Sequence, residues 1–480
     1  MAAGLLLSVL MRVLMRVRMR MRMRVRVCWL VPMRVSAQGQ GTLQWQGQGP
    51  PRVQWQARLW QPLSLAVVLA LATAAGRPAA AAQQAPAGLL PFTAAERAAI
   101  ASHGPWPPPL ARDPSNRLSG HAAAAAFGAR LFEDPRLSAS GTTSCASCHR
   151  PQEGFADGRP VAQGQQPGRR NTPSLVDARF ARWQGWGGES DSLWSASLRP
   201  LNEAAEMGPA ERLVAGRMRT EPDLACGYQA ATGQPPGADD EILLADVGKA
   251  LAAFQETLVS PRTPFDRFRD ALLSGDRRAA ARYPLDAQRG LRLFIGTAGC
   301  ALCHRGPRFT HDEFDKAGIA VRGADGRHDW GRYDGVKALL SSRYNLLSRH
   351  SDDRSGASAL PTRHVAPDLE SYGAFRVPGL RQLAATAPYM HDGSLPTLEA
   401  VVRHYAGIDA VKLHIAAAHP HAELGAPMPP RPSVSVLRPL DLSDGQVADL
   451  MAFLQSLSAP LPEPPPRPPT RSPPPPLPCR

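Results

Sequence analysis

Lysine, aspartate and glutamate are absent from the first 82 positions of this 480-residue chain, which hold eleven arginines. The formal charge of +14 therefore misleads. Without those arginines the remainder carries +3, and nucleic-acid binding has no compositional support there. Long apolar runs are missing too: Leu63–Ala75 is too short to span a bilayer comfortably. Aromatic residues make up only 6%, against 49 prolines and 41 glycines, so many loops are expected. A core built around a large planar ligand suits that balance. No stretch alternates like a β-rich domain, which leaves a mostly α body with long loops. Of seven cysteines, Cys28 and Cys479 lie in tails and Cys226 stands alone, so no disulfide framework is expected.

What is present at the N-terminus reads as a leader. Met11–Arg26 alternates arginine with Met, Val or Leu and could not bury a core. Arg52 and Arg58, the apolar run, and Ala80, Ala81 and Ala82 before Gln83 make a Sec-type signal peptide. The expectation is export to the periplasm, a mature chain starting near Gln83 and no stable membrane span after cleavage. An uncleaved anchor is the alternative. Residues 460–480 are proline-rich and are expected to form a disordered tail.

Two complete C-x-x-C-H motifs stand out: Cys145, Cys148, His149 and Cys300, Cys303, His304. Thiols three residues apart can add to the two vinyl groups of one haem, and the adjacent histidine then lies beneath the iron as its ligand. A zinc site or redox-active dithiols are the alternatives. Zinc ribbons bring their cysteine pairs within a few tens of residues, and neither alternative explains two following histidines. An internal repeat frames the motifs. Gly128-Ala-Arg-Leu131-Phe132 precedes the first, and Gly290-Leu-Arg-Leu293-Phe294 precedes the second. Helical periodicity runs through Ile242–Leu258, with Leu243, Val247, Leu251, Phe254 and Leu258 on one face. The last helix opens on a capping box, Ser443-x-x-Gln446. The expected organisation is a leader over 1–82, a first haem domain over 83–275, a second over 276–459, and the tail.

From about Ala94 to Leu457 the chain resembles the di-haem cytochrome c peroxidase family, including its MauG branch. The motifs are Ser144-Cys-Ala-Ser-Cys-His149, Phe155-Ala-Asp-Gly158, Arg170-Asn-Thr-Pro-Ser-Leu175, Glu206-Met-Gly208 and Ala387-Pro-Tyr-Met-His-Asp-Gly-Ser-Leu395. The resemblance implies two mostly helical, cytochrome c-like haem domains with a calcium ion between them. It also implies that one haem reacts with peroxide and the other passes electrons. Glu206 then takes the acid–base role at the first haem, and Trp186 lies between the haems as a possible relay or a structural tryptophan. Calcium would be held by the Asn171 side chain and the carbonyls of Thr386 and Pro388. His391 orders the loop near the second haem.

Two departures matter. Peroxidases of the family carry an iron-capping histidine eight residues before the Asn of this motif; here that position is Gln163, and no histidine occurs between His149 and His304. The first iron is therefore expected to be five-coordinate at rest. The axial methionine of the second haem is replaced by Tyr405, as in the MauG branch; a phenolate lowers the iron's potential where a thioether raises it. Met428 is the alternative ligand, with Met390 and His404 weaker ones. The expected function is a periplasmic peroxidase that reduces hydrogen peroxide to water. Its electrons would come from a small donor protein, a cytochrome c or cupredoxin. MauG-type oxidation of a protein or organic substrate is the second reading, and a plain electron-transfer cytochrome the third. Pyridine haemochrome analysis with intact mass should show two covalent haems on a chain starting near Gln83. One haem, or retention of Leu63–Ala75, overturns the domain or the export reading.

Overall fold

The computed structural model describes residues 88–319, 328–408 and 437–461, so the leader, the tail and Met428 lie outside the described residues. Helices dominate: α1 (Ala94–Ala101), α2 (Ala122–Glu133), α3 (Cys145–Cys148), α4 (Leu193–Asn202), α5 (Glu211–Thr220), α6 (Pro222–Thr232), α7 (Asp240–Gln255), α8 (Pro264–Ser274), α9 (Leu285–Ile295), α10 (Arg332–Ser341), α11 (Leu398–Ala406) and α12 (Asp444–Gln455). A two-residue antiparallel pair, Phe314–Asp315 with Phe375–Arg376, is the sheet among the described residues. No described helix is long and apolar enough to cross a membrane.

Local chemistry explains where the helices start. Asp239 caps α7 by accepting from the Ile242 N–H at 3.1 Å, and Asp240 and Glu241 follow in its positive first turn. Thr263 and Asp266 form a capping box around Pro264 at the start of α8. Ser443 and Gln446 form the one expected at α12. α7 ends at Gln255, so Leu258 of the periodic stretch lies beyond the helix. Cys226, read above as alone, is disulfide-bonded.

Two apolar cores organise the part of the chain that starts at Ala82. The first is built by α2, α4, α5, α6 and α7. The second is built by α8, α9 and α12, with Leu89 and Ile100 from the start of the chain added to it. Each core contains the same helix crossing. α2 meets α7 at Gly128, where an added Cβ would run into the Ala250 carbonyl and lie 3.0 Å from Phe254 Cβ. α9 meets α12 at Gly290, where an added Cβ would run into the Asp449 carbonyl and lie 2.9 Å from Phe453 Cβ. Four residues on, Phe132 packs on Phe254 at 5.1 Å and Phe294 on Phe453 at 4.9 Å, with interplanar angles of 56° and 57°. The sequence repeat is thus one packing unit used twice.

Because backbone, and not a movable side chain, fills the space at both glycines, Gly128→Ala and Gly290→Ala should each destabilise the protein. The expected loss is about 1–3 kcal/mol, typical of overpacking. A thermal unfolding midpoint unchanged in both variants would refute the close crossing.

Candidate active site

Each attachment motif occupies a single tight turn. α3 carries Cys145 and Cys148, and the His149 N–H returns to the Cys145 carbonyl at 2.9 Å. In the second motif the His304 N–H returns to the Cys300 carbonyl, also at 2.9 Å. Both histidines are oriented alike. Nδ1 of His149 donates to the Phe155 carbonyl at 2.9 Å, and Nδ1 of His304 to the Phe309 carbonyl at 3.0 Å. A carbonyl only accepts, so Nδ1 carries the proton and Nε2 keeps its lone pair for a metal. Phe155 and Phe309 both adopt left-handed backbone, φ 59° and 57°, which is costly for a non-glycine residue.

Burial holds His304 down to about 4 and pulls His149 below its usual value, so both imidazoles are neutral near pH 7. Burial also pushes the Cys145 thiol up to about 12 and Cys300 and Cys303 to about 11. Thiolate is then scarce, which argues against a redox dithiol. Both motifs open on one cavity of about 820 Å³. Neutral imidazoles and paired thiols facing one such space fit two covalently attached haems.

Glu206, Trp186, Asn171, Thr386, Pro388 and Tyr405 line the same cavity. The Glu206 backbone is locked: its N–H donates to the Glu203 carbonyl at 3.0 Å and its carbonyl accepts from Gln165 N at 3.0 Å. Met207 behind it is buried, and its carbonyl accepts from Gln165 Nε2 at 2.7 Å. Arg199 pairs with the Glu206 carboxylate at 2.7 Å. Gln163 is exposed and does not line the cavity.

At the second motif, Tyr405 projects from α11, and burial, aided by Cys303, Cys300 and Asp315, pushes its phenol well up. His404 is committed elsewhere, with Nε2 donating to the Ala317 carbonyl at 2.7 Å. Met390 also lines the cavity. The Trp186 indole N–H donates to the Asn171 carbonyl at 2.8 Å. Asn171 Nδ2 donates to Arg159 O at 2.8 Å, leaving its side-chain oxygen as the acceptor a hard ion needs. The Asn171 N–H donates to the His391 carbonyl at 2.7 Å, and the His391 ring stacks on Phe375 at 3.6 Å.

Several residues here escaped the sequence reading. Arg170 pairs with Glu189 and, through Nη2 and Nε at 2.6 and 2.7 Å, with Asp329. Nothing in the sequence pairs a residue at 170 with one at 329. Arg199 is equally silent, because its contact depends on how α4 meets the loop after it. Phe309 carried a usable signal: a phenylalanine five residues after His304, where Phe155 follows His149 by six.

Two haem-attachment turns on one cavity define a di-haem c-type cytochrome. The family model described as di-haem cytochrome c peroxidase matches residues 122–276. The methylamine utilization protein MauG of Methylorubrum extorquens is 36% identical over 337 residues, covering 70% of this chain and 78% of that protein. Cytochrome-c peroxidase IdrP1 of Denitromonas iodatirespirans is 32% identical over 370 residues, covering 74% and 86%. Among solved structures, a MauG-like protein associated with microbial copper homeostasis superposes with a TM-score of 0.52 at 27% identity, covering 74% of this chain and 95% of that one. The chain belongs to the di-haem cytochrome c peroxidase family and is an oxidoreductase of the peroxidase type, with two haem c groups implied by the family.

Proposed function

We propose that the chain is a periplasmic peroxidase that reduces hydrogen peroxide to water at the haem of Cys145, Cys148 and His149. The observation that carries this reading is Glu206, an acid–base group on a fixed loop, on the wall of the cavity into which that motif opens. Bound at the two motifs, the haems supply the redox chemistry, one reacting with peroxide and the other passing electrons. Glu206 takes the proton from the inner peroxide oxygen and delivers it to the outer one, so that water leaves. Tyr405 would hold the iron of the second haem, and Trp186 would relay electrons from one haem to the other. A calcium ion would be held by the Asn171 side chain and the carbonyls of Thr386 and Pro388 and would order the loops that carry them. The two haem domains are 83–275 and 276–459, with Leu89, Ile100 and α8 of the first stretch packed into the second core; electrons come from a small cytochrome c or cupredoxin, and the signal peptide within residues 1–82 directs export.

The exposed Gln163 and the cavity-lining Tyr405 favour a second reading, MauG-type oxidation of a protein or organic substrate. Steady peroxide turnover with a reduced cytochrome c or cupredoxin supports the peroxidase; failure with both supports the MauG type.

Glu206→Gln should keep both haems yet react with peroxide about 10²–10⁴-fold more slowly, the usual loss of general acid–base help. An unchanged stopped-flow rate makes Glu206 a bystander. With Gln163 where the capping histidine of the family would stand, the fully ferric protein should show one high-spin and one low-spin haem by EPR. It should then react with peroxide without prior reduction. Two low-spin haems that respond only after partial reduction would contradict the Gln163 and Tyr405 readings.

A further inference from the structure

Locking the backbone of Glu206 does not lock its carboxylate, which sits at the end of three rotatable bonds with 30% of the side chain exposed. Among the described residues its carboxylate meets one partner, Arg199, at 2.7 Å from Nη2 to Oε1. Arg199 leaves the last turn of α4 seven positions earlier, lines the same cavity and is 45% exposed. A guanidinium has five N–H donors, and Glu206 is the partner it meets among the described residues, so donors remain over at the cavity wall. Both residues line the cavity on which Cys145, Cys148 and His149 open, which places the pair on the wall shared with the first haem-attachment turn. The pair faces the cavity that the first haem would fill. Its placement beside the acid–base group calls for a chemical role.

We propose that Arg199 is a second polar group of the peroxide site, holding the Glu206 carboxylate in position and offering its remaining N–H groups to the outer oxygen of the peroxide. This rests on the acid–base reading of Glu206 above. As the O–O bond breaks, the outer oxygen keeps the bonding electron pair until it receives the proton that Glu206 took from the inner oxygen, and then leaves as water. The second oxygen becomes water with the two electrons and two protons that complete the reduction, the electrons coming from the donor protein. Negative charge is transient on the outer oxygen, and a fixed donor aimed there is worth most at that moment.

The test uses the holoprotein with both haems. Arg199→Ala should lower kcat/KM for peroxide about 10²-fold, as loss of one such donor does. Haem spectra and unfolding midpoint should be unchanged. Arg199→Lys should recover part of the rate, and millimolar guanidinium should partly rescue Arg199→Ala but not Glu206→Gln. The Arg199→Ala, Glu206→Gln double variant should be within a few-fold of Glu206→Gln alone, since the two act as a unit. A normal rate in Arg199→Ala, no recovery by lysine or guanidinium, or fully multiplicative losses would each overturn the proposal. A normal rate in Glu206→Gln would instead remove the acid–base reading on which it stands.

Discussion

Both halves of the molecule depend on one constraint, a helix crossing so close that only glycine fits. At Gly128 and Gly290 one helix lies directly on a carbonyl of the other, which fixes where the next turn of each goes. Phe132 and Phe294, four residues on, then meet Phe254 and Phe453 at nearly the same distance and angle. The third ring of each group is the phenylalanine whose carbonyl holds the proximal histidine. Phe155 packs on Phe132, and Phe309 on Phe294 and Phe453. A left-handed phenylalanine costs on the order of 1–3 kcal/mol. Burying such a ring returns about 1.5–3 kcal/mol, and Phe309 is fully buried. Six of the chain's thirteen phenylalanines thus stand where they aim an imidazole.

The second half is not built from its own stretch of sequence alone. His103, shortly after α1, stacks on Phe309 at 4.5 Å and 11°, and its Nδ1 donates to the Gly306 carbonyl at 3.1 Å. Asp266 in α8 pairs with the buried Arg381, whose Nε donates to the Pro307 carbonyl at 2.6 Å and whose guanidinium lies 3.8 Å over the Trp106 ring. Two consecutive carbonyls of the loop after His304 are therefore gripped by residues from distant segments. A buried pair such as Asp266–Arg381 is weak evidence for stability, because desolvation opposes its attraction. Its geometric effect is clear: it holds the loop that carries the His304 acceptor.

What could be read from the sequence was whatever is local in the chain. The two C-x-x-C-H turns, the capping boxes and the glycine–phenylalanine repeat each lie within a few residues, and each appears in the structure as a turn, a cap or a crossing. Long-range contacts were not legible. Arg170 finds Asp329 across 159 positions, and Ile100 enters the second core although it precedes the first motif. Leu258 shows the opposite failure. Its apolar spacing continues the α7 pattern, but the helix ends at Gln255 and periodicity alone carries no stop signal. For Cys226, bonding depends on which other cysteine the fold brings near, and spacing does not contain that.

The two attachment turns share a chassis but not a wall, and the difference decides what each can do. Beside the first, Glu206, on a loop tied by backbone hydrogen bonds to Glu203 and Gln165, and Arg199, at the end of α4, place opposite charges at the cavity surface. Such a wall can accept and return a proton without rearranging. Beside the second, the cavity offers the Tyr405 phenol, driven toward its neutral form by burial and by the cysteine and aspartate near it. A phenol held this way is a poor base near neutral pH, and it would become an anion where a cation replaces its proton. Proton transfer is therefore proposed for the His149 side, where the carboxylate lies, and iron binding by the phenol for the His304 side. On the proposed roles, a division of labour between two nearly identical turns rests on three side chains, Glu206, Arg199 and Tyr405, with no change to the repeated crossing beneath them.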